Sequence, residues 1–185
     1  IIAGTFDIAA PSISDATLLA IKDANSNKDL VGDTLTTYLV DYRGYGYIGI
    51  NANLVNVGGD PASEASKNLR KGIMTVLSVY RETVINSYYG DRASVIQYPI
   101  SNTSWAAPQP TDVGYQIAYS RDVNGNPIYD ASMNDEQKYE AALQAAVGFF
   151  QAAGYTWDGS KFTAAPEGAK MVYEFLVPGS GEQDH

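Results

Sequence analysis

The chain contains no cysteine and a single histidine, His185, which is its last residue. Without cysteine it can form no disulfide, no thiolate zinc site and no cysteine nucleophile. One terminal histidine can anchor neither a Ser-His-Asp site nor a multi-histidine metal site. These two absences remove several familiar metal-dependent and nucleophilic mechanisms.

Cationic residues are also scarce. Lys and Arg number 12 against 21 Asp and Glu, which gives a net charge of −9, and the longest cationic run is the pair Arg70 and Lys71. Nucleic acids and anionic membranes both need clustered cations, so the composition argues against either partner. The acidic balance is typical of a soluble protein surface.

Long apolar runs and an initiating methionine are missing as well. No apolar run approaches the ~20 residues that are needed to cross a bilayer. The chain begins at Ile1, and residues 179–185 are typical of a loop. We therefore expect both ends to be boundaries within a longer protein, whose targeting signals would lie outside this sequence.

What the chain does contain is typical of a folded domain. It has 185 residues, of which 45% are apolar and 18% charged, and its 14 tyrosines are spread along the sequence. This length fits a single domain over residues 1–185 with room for a sizeable core. Neither an internal repeat nor a linker-like stretch divides it.

Apolar and β-branched residues cluster in four stretches that predict strands: residues 6–10, 34–40, 45–51 and 171–177. The second and third of these stretches are close enough in sequence to pair as neighbours. Together with the helices described next, they favour an α/β class with a mixed sheet flanked by helices.

Capping residues predict where the helices begin and end. Ser14 starts a helix that should fade by Asn25, and Asp60 with Pro61 opens the longest one. A further helix is predicted over residues 81–89, ending at Gly90. The pair Asn134 and Gln137 resembles a capping box, and the helix that follows should end at Gly154.

Two motifs resemble ligand sites but have simpler explanations. Residues 44–49 spell G-x-G-x-x-G, yet they lie in a predicted strand, and the next helix begins only near Asp60. Asp122 opens a D-x-N-x-N series like that of a calcium loop, but Pro127 and Met133 stand where Gly and Glu are needed. We therefore predict a glycine-bearing strand and an Asn-Gly hairpin turn, with no cofactor and no metal.

Other candidate side chains leave alternatives open. Trp105 lies in a proline-bounded loop, where it either packs on the core or lines a ligand groove. Glycan hydrolysis would need two carboxylates within one cleft. The candidates for such a pair are Asp7, Asp15, Asp41, Glu82 and Asp112. Helix caps and surface charges explain most of these carboxylates equally well.

Four segments together resemble a known protein family. They are Phe-Asp-Ile at residues 6–8, Tyr-Gly-Tyr-Ile-Gly-Ile-Asn at 45–51, the run at 68–82 containing Leu-Arg and Tyr-Arg-Glu, and the run at 139–155 ending in Ala-Gly-Tyr. In order and spacing they are similar to extracellular solute-binding proteins of family 5, the receptors of oligopeptide and dipeptide ABC importers. A proline-containing loop at 101–108 falls where that family has one. Gly72 and Tyr80 depart from the Ala and Asp that are usual there.

The resemblance implies one lobe, the second, of a periplasmic-binding-protein-like type II fold whose two lobes close on a solute about a hinge. It implies a non-catalytic receptor at the extracellular face of the membrane or in the periplasm, lipid-anchored through its parent protein. The implied partners are an oligopeptide or other small solute, an ABC permease and the missing first lobe. The alternatives are a sugar, metal complex or haem as solute, a carboxylate-based glycan-active enzyme, or a structural surface domain.

In open α/β sheets, ligands lie beyond the carboxyl ends of the strands. Applied to the predicted strands and the proline-bounded loop, this rule selects six ligand-binding residues: Ala10, Pro11, Ser12, Asn51, Asn102 and Trp105. Helix entry is the alternative role for Pro11 and Ser12, and a structural turn is the alternative for Asn51. We also expect an isolated lobe to bind peptide weakly or not at all, because half of the contact surface is absent.

Overall fold

A computed structural model describes residues 2–11 and 13–176. Within that part, the chain forms four helices: α1 (Asp15–Ala24), α2 (Glu64–Ser78), α3 (Arg81–Tyr89) and α4 (Asp135–Ala152). A 3-10 turn, Gly90–Arg92, follows α3, and an antiparallel pair of strands, β1 (Thr156–Trp157) and β2 (Phe162–Ala164), follows α4. The architecture is thus small and mixed α/β. None of these helices is both long enough and apolar enough to cross a membrane.

The described residues divide into two compact units. The first holds residues 2–45, apart from residue 12, together with residues 82–107. The second holds residues 46–81 and 108–176. Helix α1 and nearly all of α3 therefore belong to the first unit, whereas α2, α4 and the sheet belong to the second.

In the first unit, α1 begins and ends where its capping residues predict. The Ser14 hydroxyl accepts a hydrogen bond from the Thr17 amide at 3.3 Å, and Asp15 places negative charge at the positive end of the helix. The Asn25 amide closes the helix by donating to the Lys22 carbonyl at 3.2 Å. Leu18 and Ile21 turn inward from the same face.

The chain then folds around the Asn25 side chain, which is only 1% exposed. Its Nδ2 donates to the carbonyls of Asp29 at 2.7 Å and Leu35 at 2.9 Å. Its Oδ1 accepts from the amides of Thr34 at 3.1 Å and Leu35 at 2.7 Å. Gly32 is required nearby, since a Cβ there would overlap the Asn25 side chain. All four hydrogen-bonding positions of this buried amide are therefore used.

The strand predictions are wrong over the described residues. Residues 6–10, 34–40 and 45–51 form no strand, and neither do residues 171–176; residue 177 lies outside the described part. A β-forming composition makes a segment extended, but a strand also needs a neighbour to complete its hydrogen-bond ladder. The amides at the start of 34–40 are instead held by Asn25.

In the second unit, α2 begins later than predicted. Its N-cap is Ser63, whose hydroxyl accepts from the Ser66 amide at 3.2 Å. Asp60 does not cap the helix; its carboxylate accepts from the Ala62 amide at 2.9 Å and makes the turn that precedes it. The prediction that Asp60 and Pro61 open the helix is therefore wrong, because Ser63 is the N-cap.

Helix α2 packs against α4, and the core lies between them and the sheet. Leu69, Ala153 and Tyr155 are its buried members. Gly72 keeps the two helices close, because a Cβ there would lie 3.1 Å from the Phe150 ring and 3.3 Å from the Phe149 Cβ. Gly72 thus has a packing reason in this chain.

Helix α4 confirms its predicted caps. The Asn134 carboxamide accepts from the Gln137 amide and the Gln137 side chain accepts from the Asn134 amide, both at 2.9 Å. Beyond the helix, Gly154 adopts a φ of +100°, which ends the helical run.

Sequence reasoning missed the β1–β2 hairpin. Asp158 organises its turn, since its carboxylate accepts from the amides of Ser160 at 2.8 Å and Lys161 at 2.9 Å. The signal was present, because Asp158 and Gly159 form an Asp-Gly pair between flanks that contain Trp157 and Phe162.

Candidate ligand-binding site

The first two residues predicted to bind ligand lie in an exposed, irregular stretch of the first unit. Ala10 and Pro11 are both exposed, and the strand that was predicted to deliver them does not form. Ser12 lies outside the described residues. The rule that ligands lie beyond the carboxyl ends of strands therefore does not apply to Ala10 and Pro11.

Asn51 belongs to the second unit and organises a turn. Its side-chain oxygen accepts from the Asn53 amide at 3.0 Å. Its backbone carbonyl accepts from the amides of Leu54 at 3.0 Å and Val55 at 2.9 Å. The structural role that the sequence left open for Asn51 is therefore present, although its side chain is also exposed.

Asn102 and Trp105 lie in a tethered loop of the first unit. The Asn102 side chain donates to the Ser94 hydroxyl at 2.6 Å, and the Ser104 amide donates to the Ser101 carbonyl at 3.0 Å. Trp105 follows these bonds and is 96% exposed. The possibility that Trp105 packs on the core is therefore wrong, and its indole stands in solvent on a loop that hydrogen bonds hold in place.

A groove of about 390 Å³ lies in the second unit, between the predicted hairpin turn and α4. It is lined by Asp122, Val123, Asn124, Pro127, Ile128, Ala141, Gln144, Ala145 and Gly148. None of the six predicted residues is among them. The helix side of the groove consists mostly of small residues, whereas Val123 and Ile128 supply apolar surface from the turn.

The turn that forms one wall of this groove confirms the Asn-Gly hairpin signal. The Gly125 amide donates to the Asp122 carbonyl at 3.0 Å, and Arg121 and Pro127 form an antiparallel bridge. The Asp122 carboxylate accepts from the amides of Asn124 at 2.9 Å and Asn126 at 2.8 Å. These bonds, chiefly those from Asn126, lower the pKa of Asp122. The carboxylate thus organises the turn, and the calcium-loop interpretation gains no support.

A half-buried cation lies elsewhere in the second unit. The Arg81 guanidinium carbon lies 5.7 Å from the centroid of the Tyr119 ring, within cation–π range. Burial lowers the pKa of Arg81, although Tyr119 and Tyr129 act in the opposite direction. Burial likewise raises the pKa of the Tyr129 phenol, against smaller opposing effects of Ser78 and Arg81.

Most carboxylates with a displaced pKa act as caps or turn formers. The pKa is lowered, chiefly by hydrogen bonds, at Asp33, Glu64, Asp122, Asp130 and Asp158. A general acid needs the opposite displacement, toward neutral pH. None of these five carboxylates is therefore suited to that role.

Two of the carboxylates proposed for an acid–base pair have structural partners in this chain. Asp15 pairs with Arg92 within the first unit. The Asp112 carboxylate accepts from the Gln109 amide at 2.8 Å. Within residues 2–11 and 13–176, no three acidic or histidine side chains cluster as metal ligands would.

Sequence reasoning therefore selected one residue with a suitable environment, Trp105, and missed the groove. The signal for the groove was partly available, since Ala141, Ala145 and Gly148 recur at helical spacing and the Asn-Gly turn was recognised. What the sequence did not contain was the register that brings this turn against that helix face.

Comparison with known proteins adds no relative. No family model matches the chain, and neither curated proteins nor solved structures give a significant match.

Proposed function

We propose that this chain is one ligand-binding lobe of an extracellular solute-binding protein of the oligopeptide-importer type, and that it catalyses no reaction. The observation that carries the proposal is Trp105, whose indole is 96% exposed on a hydrogen-bonded loop. Exposed aromatic side chains on positioned loops are common in ligand contacts, because they offer a large rigid face at low entropic cost. In a clamp, the missing first lobe would cover such a face once solute is bound.

The positions of the helices support the same proposal. The segments at 68–82 and 139–155 that carry the family resemblance coincide largely with α2, the start of α3, and α4. Arg70, in the first of these segments, donates to the carbonyls of Val55 at 3.0 Å and Pro61 at 2.7 Å. A lysine would supply only one compact donor group there, so the two donors of the arginine fork hold the loop that leads into α2.

The proposed ligand is an extended peptide held by main-chain hydrogen bonds and by aromatic faces such as that of Trp105. The same proposal gives the lobe a periplasmic-binding-protein-like type II fold and treats residues 1–185 as a single domain of the parent protein. It also includes an ABC permease as partner and an extracellular, lipid-anchored location. Asn102 would act beside Trp105, with its carboxamide already oriented by Ser94.

The decisive experiment uses the longer protein that would contain this lobe. Mass spectrometry of co-purified small molecules should find peptides, and calorimetry with those peptides should show tight binding. The substitution Trp105→Ala should weaken binding at least about tenfold, as expected for a tryptophan at the centre of a contact surface. Trp157→Phe is the matched control, because Trp157 is the only other tryptophan and packs on Phe162 with ring centroids 4.8 Å apart.

The two tryptophans also allow an optical measurement. In the Trp157→Phe background, Trp105 is the sole tryptophan emitter, and its exposed emission should shift to shorter wavelength when peptide covers it. Unchanged emission and an absence of co-purified solute would contradict the proposal. Turnover of glycosides that disappears on replacing one Asp would favour the enzyme alternative. Sub-micromolar peptide binding by the 185-residue chain alone would contradict the half-clamp interpretation.

A further inference from the structure

A short extended segment of the first unit, residues 39–45, presents apolar side chains to solvent. We name it the Tyr42 segment. Val40 is 83% exposed, Tyr42 is 82% exposed, and Leu39 and Tyr45 are about half exposed. Within the described part of the chain, residues 39–44 make no backbone–backbone hydrogen bond. Exposed apolar side chains and unpaired amides together are the features of an edge that can accept another strand.

One end of this segment is fixed to its own unit. The Tyr45 hydroxyl donates to the Pro99 carbonyl at 3.0 Å. The Tyr42 ring folds over Gly44 of the same segment, where a Cβ would overlap it. The segment is therefore extended, anchored at its end and otherwise available for pairing.

The sequence of the segment, Leu-Val-Asp-Tyr-Arg-Gly-Tyr, is complementary to itself when it is reversed about Tyr42. In an antiparallel pair centred there, Asp41 of each copy lies opposite Arg43 of the other. Opposite charges in directly facing positions stabilise an antiparallel pair, whereas like charges destabilise it. A pair centred on residue 41 or on residue 43 instead places like charges opposite each other, so the complementarity selects one register.

The uncharged positions fit the same register. Leu39 faces Tyr45, which pairs an aliphatic with an aromatic side chain on the face that carries the charges. On the other face Val40 lies opposite Gly44, and the two Tyr42 rings meet at the centre.

We propose that two copies of this chain associate through the Tyr42 segment, as a two-fold symmetric, antiparallel strand pair centred on Tyr42. Such an interface is isologous, with the same patch used on both copies. Seven residues a side is small against the ~20–30 residues a side of a standard interface, so the association is weak and depends on concentration.

A charge swap tests the pairing by sedimentation equilibrium, over a concentration series reaching roughly 1 mM. Asp41→Arg places Arg opposite Arg and should weaken dimerisation at least about tenfold. The double variant Asp41→Arg/Arg43→Asp restores facing opposite charges and should recover the dimer. Glu167→Arg, on an exposed loop of the second unit, makes the same change in net charge as Asp41→Arg and should leave dimerisation unchanged.

Cysteine crosslinking tests the register, and the chain has no cysteine of its own to interfere. The two copies of Tyr42→Cys face each other with Cβ atoms about 4.5–5.5 Å apart, close to disulfide spacing. Two copies of Val40→Cys are offset by four residues, or roughly 13 Å along the strand. Under mild oxidation Tyr42→Cys should therefore form a covalent dimer at least about tenfold faster than Val40→Cys.

Three results would overturn the proposal. One is a chain that stays monomeric throughout the concentration series, which would assign the segment to another occupant such as a strand of a longer parent. The second is a double charge swap that fails to recover the dimer lost in the single variant. The third is equal crosslinking at positions 40 and 42.

Discussion

Replacing Asn25 by alanine should destabilise the first unit more than replacing an exposed asparagine of the loop that follows α1. The side chain is 1% exposed and makes four hydrogen bonds, two as donor and two as acceptor. A typical hydrogen bond contributes about 1 kcal/mol net, and a buried group left without a partner costs about 1–3 kcal/mol. Because the loop can partly open to water, the expected loss in unfolding free energy is about 2–4 kcal/mol, below the simple sum.

The matched control for this change is Asn27→Ala, in the same loop and of the same residue type. Asn27 is exposed, and its side chain makes two hydrogen bonds, to the Val31 carbonyl at 2.8 Å and from the Asp29 amide at 3.2 Å. Its loss should cost less than about 1 kcal/mol, since water can replace both partners.

Urea denaturation followed by far-UV circular dichroism measures both free energies, and hydrogen exchange locates the effect. In Asn25→Ala the amides of Thr34 and Leu35 should lose their protection, because Oδ1 of Asn25 is their acceptor. Equal destabilisation by the two variants would refute the reasoning. Unchanged exchange at Thr34 and Leu35 would refute it as well, even if the total stability fell.

Three further changes test the second unit. Ser66→Ala should cost about 1–3 kcal/mol by denaturation, because its buried hydroxyl donates to the Asp60 carbonyl at 2.5 Å and no small apolar side chain can replace that bond. Tyr155→Phe removes the bond from the phenol to the Lys170 carbonyl at 2.6 Å. Burial raises the pKa of Tyr155, so the contribution of its phenol to the free energy of unfolding is full below about pH 10 and falls as the pH rises beyond that value. The free energy of unfolding of Tyr155→Phe should not show this decline at alkaline pH. The pH dependence at Asp122 runs in the opposite direction, because amide donors lower the pKa of its carboxylate. The contribution of this carboxylate to stability is present above roughly pH 4 and is lost as the pH falls. In pH-dependent melting, Asp122→Asn should therefore lose less stability in acid than the unsubstituted protein.

Helix ends were readable from the sequence because their chemistry is local. The caps Ser14 and Asn134 each bond an amide three residues ahead, so a window of four residues contains the whole interaction. Gly90 likewise ends α3 with a φ of +63°, which glycine adopts without strain. Asp60 misled the prediction of where α2 begins, because an Asx turn and an N-cap use the same side chain and differ only in which amide is bound.

Strands were not readable in the same way. Residues 34–40 have the composition of a strand, yet the partner that would complete a ladder is set by contacts far apart in sequence. In this chain a buried asparagine nine and ten residues upstream captures the first amides of that stretch. The candidate site could not be predicted from local sequence for the same reason. The exposure of Trp105 and the position of the Asn-Gly turn against α4 both depend on packing that no local pattern encodes.

The two proposals for the first unit concern different side chains and differ in how they depend on concentration. Peptide binding at Trp105 is a property of one lobe and its clamp partner, so a fitted dissociation constant should not change with the concentration of the protein. Pairing through the Tyr42 segment is second order in the chain and must strengthen as the concentration rises. Emission from Trp105 that changes on dilution without any peptide present would mean that association also covers this loop, and Asp41→Arg should then abolish that change while leaving a response to peptide intact. If Asp41→Arg instead abolishes the response to peptide, the Trp105 loop and the Tyr42 segment form a single binding site.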